Sequence, residues 1–152
     1  MYDLREYRPL DEDFIYHSWL SSIDHNVDGF RSTTRLVINH CVENGTIKVA
    51  CSEEDPDHIL GWLAYSDLLS DRVLTYFFTK KNLRNNGIAT NLFREAFTPE
   101  LGKEIPAAYW SFWCQRYDLR KKWGVRFNSC VLPVLVERLV REELEDGSKE
   151  TD

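Results

Sequence analysis

Between Tyr76 and Phe93 the chain passes from an apolar run, through a basic polar loop with one glycine, into a strongly amphipathic segment. Val73, Leu74, Tyr76, Phe77 and Phe78 are nearly continuous, which predicts a strand over Arg72–Thr79 buried on both faces in the middle of a sheet. Ile88, Ala89, Leu92, Phe93, Ala96 and Phe97 keep one helical stripe, and Pro99 closes it. A buried strand feeding such a helix must return to the sheet by a crossover. That implies a mixed sheet with helices packed on it.

The rest of the chain supplies the other elements. Tyr2 to Arg8 reads as a strand stopped by Pro9, and Asp11 is placed to N-cap a helix carrying Ile15, Tyr16, Trp19, Leu20 and Ile23. A second helix fits Thr33 to Glu43 and ends at Asn44-Gly45. Thr46–Cys51 and Ile59–Tyr65 read as strands, the latter forming an antiparallel hairpin with Arg72–Thr79. Beyond the crossover helix come an aromatic strand over Ala107–Cys114, a short basic helix over Tyr117–Trp123, a brief strand at Val125-Arg126-Phe127 and a last helix. That helix carries Leu132, Leu135, Val136, Leu139, Val140 and Leu144, with Pro133 in its first turn. The expected class is α/β (α+β): a mixed, mostly antiparallel sheet with helices on both faces. It forms one domain over residues 1–145, and residues 146–152 are an acidic, disordered tail.

With 152 residues, 43% of them hydrophobic and 13% aromatic, the chain can bury a single real core. Its net charge is −6, of which the last twelve residues, with six acids and two bases, contribute −4. That balance disfavours a nucleic-acid partner. Cys41, Cys51, Cys114 and Cys130 show no C-x-x-C spacing, so no zinc or other metal site is expected. The first residues form no signal peptide and no apolar run approaches 18 residues, so the expectation is a cytoplasmic protein with reduced thiols and no membrane partner.

The loop before the crossover helix has a specific chemistry. Backbone N–H groups in a helix's first turn have no intrahelical acceptor, and the positive end of the helix dipole faces the same way. A pyrophosphate placed there meets donors and favourable potential together. Gly87 lets the backbone approach closely, Ala89 keeps the next turn small, and Lys80, Lys81 and Arg84 add positive charge. Neither G-x-x-x-x-G-K-S/T nor G-x-G-x-x-G is present, so a P-loop and a dinucleotide fingerprint are excluded.

The pattern Arg84-x-x-Gly87-x-Ala89 resembles the Arg/Gln-x-x-Gly-x-Gly/Ala signature of the GNAT (Gcn5-related N-acetyltransferase) superfamily. The strand before it, the helix after it and the order of elements over residues 2 to 128 match as well. Residues 14–22 and 59–65 look closest to small GNAT-like proteins of bacteriophages and prophages.

The resemblance implies acetyl-CoA as co-substrate and an amine acceptor that attacks the thioester directly. The pantetheine arm would lie along Phe77, Phe78 and Thr79. The pyrophosphate would lie on Arg84, Asn85, Asn86, Gly87, Ile88, Ala89 and Thr90, and Gln115 would contact the pantetheine or simply end its strand. Many relatives carry a Glu base on the central strand, and Arg72–Thr79 has no carboxylate. Many place a Tyr four residues before a Gly-Phe pair as the thiolate's acid, but four before Gly124 stands Arg120. Tyr117 is the substitute acid or a packed aromatic. Tyr76 is a further catalytic candidate, and His17 is a base or a surface residue. Trp19, on the buried stripe, is read as core. His25, His40 and His58 show no convincing partners. Arg116, Arg120, Lys121, Lys122 and Arg126 form either a solvated helix face or a site for the coenzyme's 3′-phosphate or an acidic acceptor. The competing reading is a GNAT-fold protein without catalysis that binds a host protein.

Overall fold

The computed structural model describes residues 1–23, 30–109 and 118–150, with side chains for all of these except 30 and 148–150. Six strands form one sheet in spatial order β1 (Tyr2–Glu6), β2 (Ile47–Ser52), β3 (Ile59–Ser66), β4 (Val73–Thr79), β5 (Ile105–Ala107) and β6 (Val125–Phe127). The first four are antiparallel neighbours, whereas β5 runs parallel to β4 and β6 parallel to β5. Two parallel joins in succession require two crossovers. The first contains α3 (Ile88–Ala96) and the second α4 (Leu119–Trp123).

One face of the sheet is covered by α1 (Glu12–Ser21), α2 (Phe30–Asn44) and the first half of α5 (Val131–Glu150). Ile15, Trp19, Val37, Ile38, Leu135 and Leu139 pack there on Val49, Trp62 and Ala64. On the other face α3 and α4 bring Leu92, Phe93, Leu119 and Trp123 onto Leu63, Tyr65 and Leu74. β3 lies between two strands and two helical layers, and all eight of its residues are buried. The expected mixed, mostly antiparallel sheet with helices on both faces is therefore observed.

β4 contains an irregularity that shapes the region beyond it. Ala64 pairs with Tyr76 and Tyr65 with Leu74, so Thr75 is an extra residue, a β-bulge. The bulge breaks the alternation of side chains. Leu74 and Phe77 join the α3 layer, while Tyr76 and Phe78 join the α1–α2 layer. Thr75 faces α2 as well, with its hydroxyl 3.7 Å from Cys41 Sγ.

Several expectations are corrected. Val73, Leu74 and Thr75 are buried, but Tyr76, Phe77 and Phe78 are only half-buried. Among the described residues β5 pairs with β4 at one position, Leu74↔Ala107. A short strand β5 spans Ile105–Ala107, and most of the expected strand Ala107–Cys114 lies outside the described residues.

Asp11 does not cap α1 with its side chain. Its carboxylate accepts Arg5 Nη1 and Nη2 at 2.7 and 2.8 Å and the Arg8 N–H at 2.8 Å, a better set of partners for a residue only 2% exposed. His40 has clear partners: Nε2 lies 2.8 Å from Ser66 Oγ, and Nδ1 lies 3.1 Å from Asn44 Nδ2. Helix α5 runs through Glu150, into the segment read from sequence as a disordered tail.

Candidate functional site

The expected phosphate loop joins the end of β4 to the start of α3. After Thr79 a single 3-10 turn, Lys81–Leu83, leads to Arg84 in extended conformation. Asn85 (φ 71°) and Gly87 (φ 79°) are both left-handed, which swings the chain from strand into helix within four residues. Glycine adopts that conformation without strain, and Asn is among the few other residues that tolerate it. Gly87 is the N-cap residue of α3. Its carbonyl accepts the Asn91 N–H at 3.0 Å, and no side chain caps the helix. The N–H groups of Ile88, Ala89 and Thr90 therefore stand at the open positive end of the helix. A Cβ on Gly87 would meet nothing within 4 Å among the described residues.

Arg84 is held beside this opening by its Nε, which donates to the Thr79 carbonyl at 3.3 Å. The buried Thr79 hydroxyl has no protein partner among the described residues. A buried hydroxyl in that condition retains hydrogen-bonding capacity for a ligand or water. Thr79 and Arg84 are thus joined across the loop, and Phe78 and Ile88 both lie close to Gly61. Gly61 permits this closeness: a Cβ there would lie 2.7 Å from the Phe78 carbonyl oxygen and 3.4 Å from Ile88 Cγ2.

Beside the half-buried end of β4, on its α1 side, stands an aromatic wall. Tyr76 stacks on Trp19 with centroids 5.4 Å apart and meets Tyr109 edge-on at 5.8 Å. Trp62 stacks on Phe78 at 6.2 Å, and Phe14 meets Phe78 edge-on at 6.2 Å. The indole N–H of Trp62 donates to Ser18 Oγ at 2.9 Å, tying α1 to β3. Lys80 Nζ lies 5.6 Å from the Phe14 ring centre, within cation–π range. Burial pushes the Tyr109 phenol up to about 12, so it stays protonated at neutral pH. Trp19 is fully buried, as expected of a core residue.

The catalytic candidates separate in this geometry. Tyr76 lies in the wall, half-buried, and its hydroxyl donates to the Ser22 carbonyl at 3.4 Å. His17 is exposed on α1, and it is Ser18 and Trp19 that α1 turns into the wall. Tyr117, Gln115 and Arg116 lie outside the described residues. Among the described residues no group of three His, Cys, Asp or Glu side chains could hold a metal ion. No helix among them is long and apolar enough to cross a membrane.

A second concavity lies on the opposite layer, between α3 and α4. This cleft of about 470 Å³ begins at Thr90 and ends at the turn before β5. Phe93 and Trp123, stacked at 4.6 Å, belong to its floor. Arg94, Lys103, Arg120, Lys122 and Arg126 stand around it with a single acid, Glu104. It adjoins the loop at Thr90 but contains neither Arg84 nor Gly87.

Sequence reasoning missed three features here: the close approach at Gly61, the bulge at Thr75 and the hydroxyl of Ser18. The glycine alone carried a signal, as a residue inside a strand pattern often marks a near approach of backbone.

No protein-family model matches the sequence, and no curated protein matches it. Solved structures match the fold. A predicted acetyltransferase of Clostridium acetobutylicum, solved with acetyl-CoA, aligns with TM-score 0.57 and 19% identity over 85% of this chain and 92% of that one. A GNAT-family acetyltransferase of Brucella melitensis, in complex with acetyl-CoA, aligns with TM-score 0.54 and 16% identity over 77% and 81% of the two chains. A histone acetyltransferase HPA2-related protein of Corynebacterium glutamicum aligns with TM-score 0.54 and 14% identity over 79% and 83%. Other alignments span only 30% to 66% of the matched chain. The fold of this chain is the GNAT fold.

Proposed function

We propose that the chain is an acyltransferase that binds acetyl-CoA at the start of α3 and passes the acetyl group to an amine. The observation that carries this reading is the juxtaposition of two open features. A glycine-capped helix N-terminus with no side-chain cap adjoins the half-buried end of β4, beside which no strand is paired beyond Leu74 among the described residues. The first suits a pyrophosphate, and the second offers backbone groups to an extended amide-bearing arm. The residues fit the group: Arg84 supplies charge beside the loop, and the Thr79 hydroxyl, which has no partner among the described residues, supplies a buried polar contact. The fold shared with acetyltransferases solved with acetyl-CoA adds support.

In this reading the amides from Ile88 to Thr90 bind and orient the diphosphate. The edge of Phe77, Phe78 and Thr79 aligns the acyl-bearing arm, and the aromatic wall excludes water from the α1 side. The acceptor amine enters along Tyr76, whose hydroxyl would hand a proton to the departing thiolate. No described side chain of β4 is a carboxylate, so the amine's proton leaves by another route, through water or a group elsewhere.

The missing carboxylate also favours a second reading, a GNAT-fold protein that binds a host partner without catalysis. Calorimetry of acetyl-CoA and CoA on the purified chain tests both. Micromolar binding followed by acetylation of some member of an amine panel supports the enzyme. Absence of binding to a folded sample removes the enzyme and leaves the interaction reading.

A further inference from the structure

By sequence Lys80 belongs with the phosphate loop that follows it, but its side chain leaves β4 on the α1 face. Beyond the Thr75 bulge the strand alternates, with Phe77 in the α3 layer and Tyr76 and Phe78 in the α1–α2 layer. Lys80, two residues past Phe78, keeps that phase and reaches Phe14 of α1, with Nζ 5.6 Å from the ring centre. Its backbone is fixed on both sides. The N–H donates to the Leu60 carbonyl at 3.0 Å, and the carbonyl accepts the Leu83 N–H at 2.9 Å.

Lys80 is half-buried, and none of the ion pairs among the described residues includes it. The Phe14 ring attracts the ammonium through its face, which leaves the three N–H donors without an oxygen acceptor among the described residues. A cation placed so rewards an incoming anion more than a fully solvated one does, because neighbouring rings displace part of its water.

Tyr76, Phe78 and Lys80 thus form one row on the face along which the acceptor amine enters in the reading above. Tyr76 and Lys80 stand four residues apart, about 13 Å of extended chain. Phe78 lies between them, half-buried, with Phe14 edge-on at 6.2 Å and Trp62 stacked at 6.2 Å. A molecule laid along the row meets a phenol, then apolar rings, then a positive charge.

We propose that Lys80 selects the acceptor, which is an amine that also carries a carboxylate. The carboxylate sits on the Lys80 ammonium, the apolar part between lies on Phe78, and the amine faces Tyr76. A short peptide with an acidic side chain in its fourth position has this span. The inference rests on the acetyl-CoA reading and adds the chemical class of the acceptor. The transfer is unchanged: the amine nitrogen bonds the acetyl carbon, the carbon–sulfur bond breaks, and the amine loses one proton as the thiolate gains one.

Initial rates and calorimetry on the full chain test it. The probes are three tetrapeptide amides that differ only in their last residue: glutamate, glutamine or lysine. The wild-type chain should use the glutamate peptide about 10-fold better than the glutamine one by kcat/KM, in the range of a charged hydrogen bond, with the difference in KM. Lys80→Gln should bring those two peptides level, and Lys80→Glu should turn the preference to the lysine peptide. A packing role for Lys80 predicts no such reversal. Acetyl-CoA affinity should hold in both variants. If Lys80→Glu fails to fold by circular dichroism, Lys80→Gln decides alone. Equal use of the three peptides by the wild type, or a glutamate preference that survives Lys80→Gln, overturns the proposal and leaves the acetyl-CoA reading standing. So does acetyl-CoA binding without acetylation of any of the three. A marked loss of acetyl-CoA affinity in folded Lys80→Gln also overturns it, because the ammonium then serves the diphosphate. A folded wild-type chain that binds no acetyl-CoA removes the reading beneath the proposal, and the proposal with it.

Discussion

The carbonyl oxygen of Phe78 stands 2.7 Å from the point a Cβ on Gly61 would occupy. The obstacle is backbone, not the end of a flexible chain, so it cannot turn aside. Gly61→Ala should force β3 and β4 apart and destabilise the fold by about 1–3 kcal/mol, the usual cost of overpacking. Urea denaturation gives this directly. Acetyl-CoA affinity should fall as well, because the displaced strand is the proposed binding edge. A mutant with full stability and affinity would show that the strands sit farther apart.

Gly87 presents the opposite case. Its Cβ position is open, and only its left-handed φ of 79° resists a side chain. Gly87→Ala should therefore cost about 1 kcal/mol of stability. Gly87→Glu should cost a similar amount in folding, yet abolish acetyl-CoA binding by placing a carboxylate where phosphates are expected. Paired calorimetry and denaturation separate the two effects. Normal affinity in folded Gly87→Glu would sink the site.

Ser18 and Trp62 form a buried donor–acceptor pair at 2.9 Å. Ser18→Ala leaves the indole N–H without its acceptor and should cost about 1–3 kcal/mol, the penalty for an orphaned buried donor. A Ser18→Ala and Trp62→Phe double-mutant cycle should show coupling between the two positions. Strict additivity of the measured stabilities would refute the pairing.

His40 makes stability depend on pH. Burial lowers its pKa in the folded chain, outweighing the raising effects of Glu142, Glu43 and Asp67. The unfolded chain then binds a proton before the folded one does. Stability is full above the ordinary histidine value of about 6.5 and falls as pH drops from there toward the lower folded value. Denaturation midpoints between pH 8 and 5 should show the fall, and His40→Gln should flatten it. An unchanged slope in the mutant would assign the effect elsewhere.

Tyr76→Phe removes one hydroxyl and keeps the ring on Trp19. With an acceptor in hand, kcat should fall about 100-fold if that hydroxyl supplies the proton, in the range of general-acid contributions. KM should hold, and the melting temperature should move little. Unchanged turnover would exclude Tyr76 as the acid.

Much of this architecture was legible in the residues. The stripe from Ile88 to Phe97 and the run from Val73 to Phe78 are long and strongly patterned, and the crossover follows from them. The loop was legible for the same reason: a lone glycine between a strand and a helix has few uses. The half-exposure of Tyr76, Phe77 and Phe78 was not legible, because it depends on what packs beside β4 in the fold rather than on the residues of β4. Asp11 looked like a cap by position, and only the approach of Arg5 from β1 reveals its stronger partners. The partners of His40 lie four residues away on its own helix and twenty-six residues away in β3, and only the second needed the fold to find it.

Thr75 is, in effect, a slipped frame in the reading of β4. Removing that one residue would leave Leu74 opposite Tyr65 and Tyr76 opposite Ala64 as successive, alternating pairs, with every ring on its present face. A residue gained or lost between Tyr76 and Thr79 would instead shift the phase and turn the rings now facing α1 toward α3. Divergence in what this wall admits should therefore proceed by replacing rings beyond the bulge, with changes of length absorbed at Thr75 or in the loops at either end of the strand.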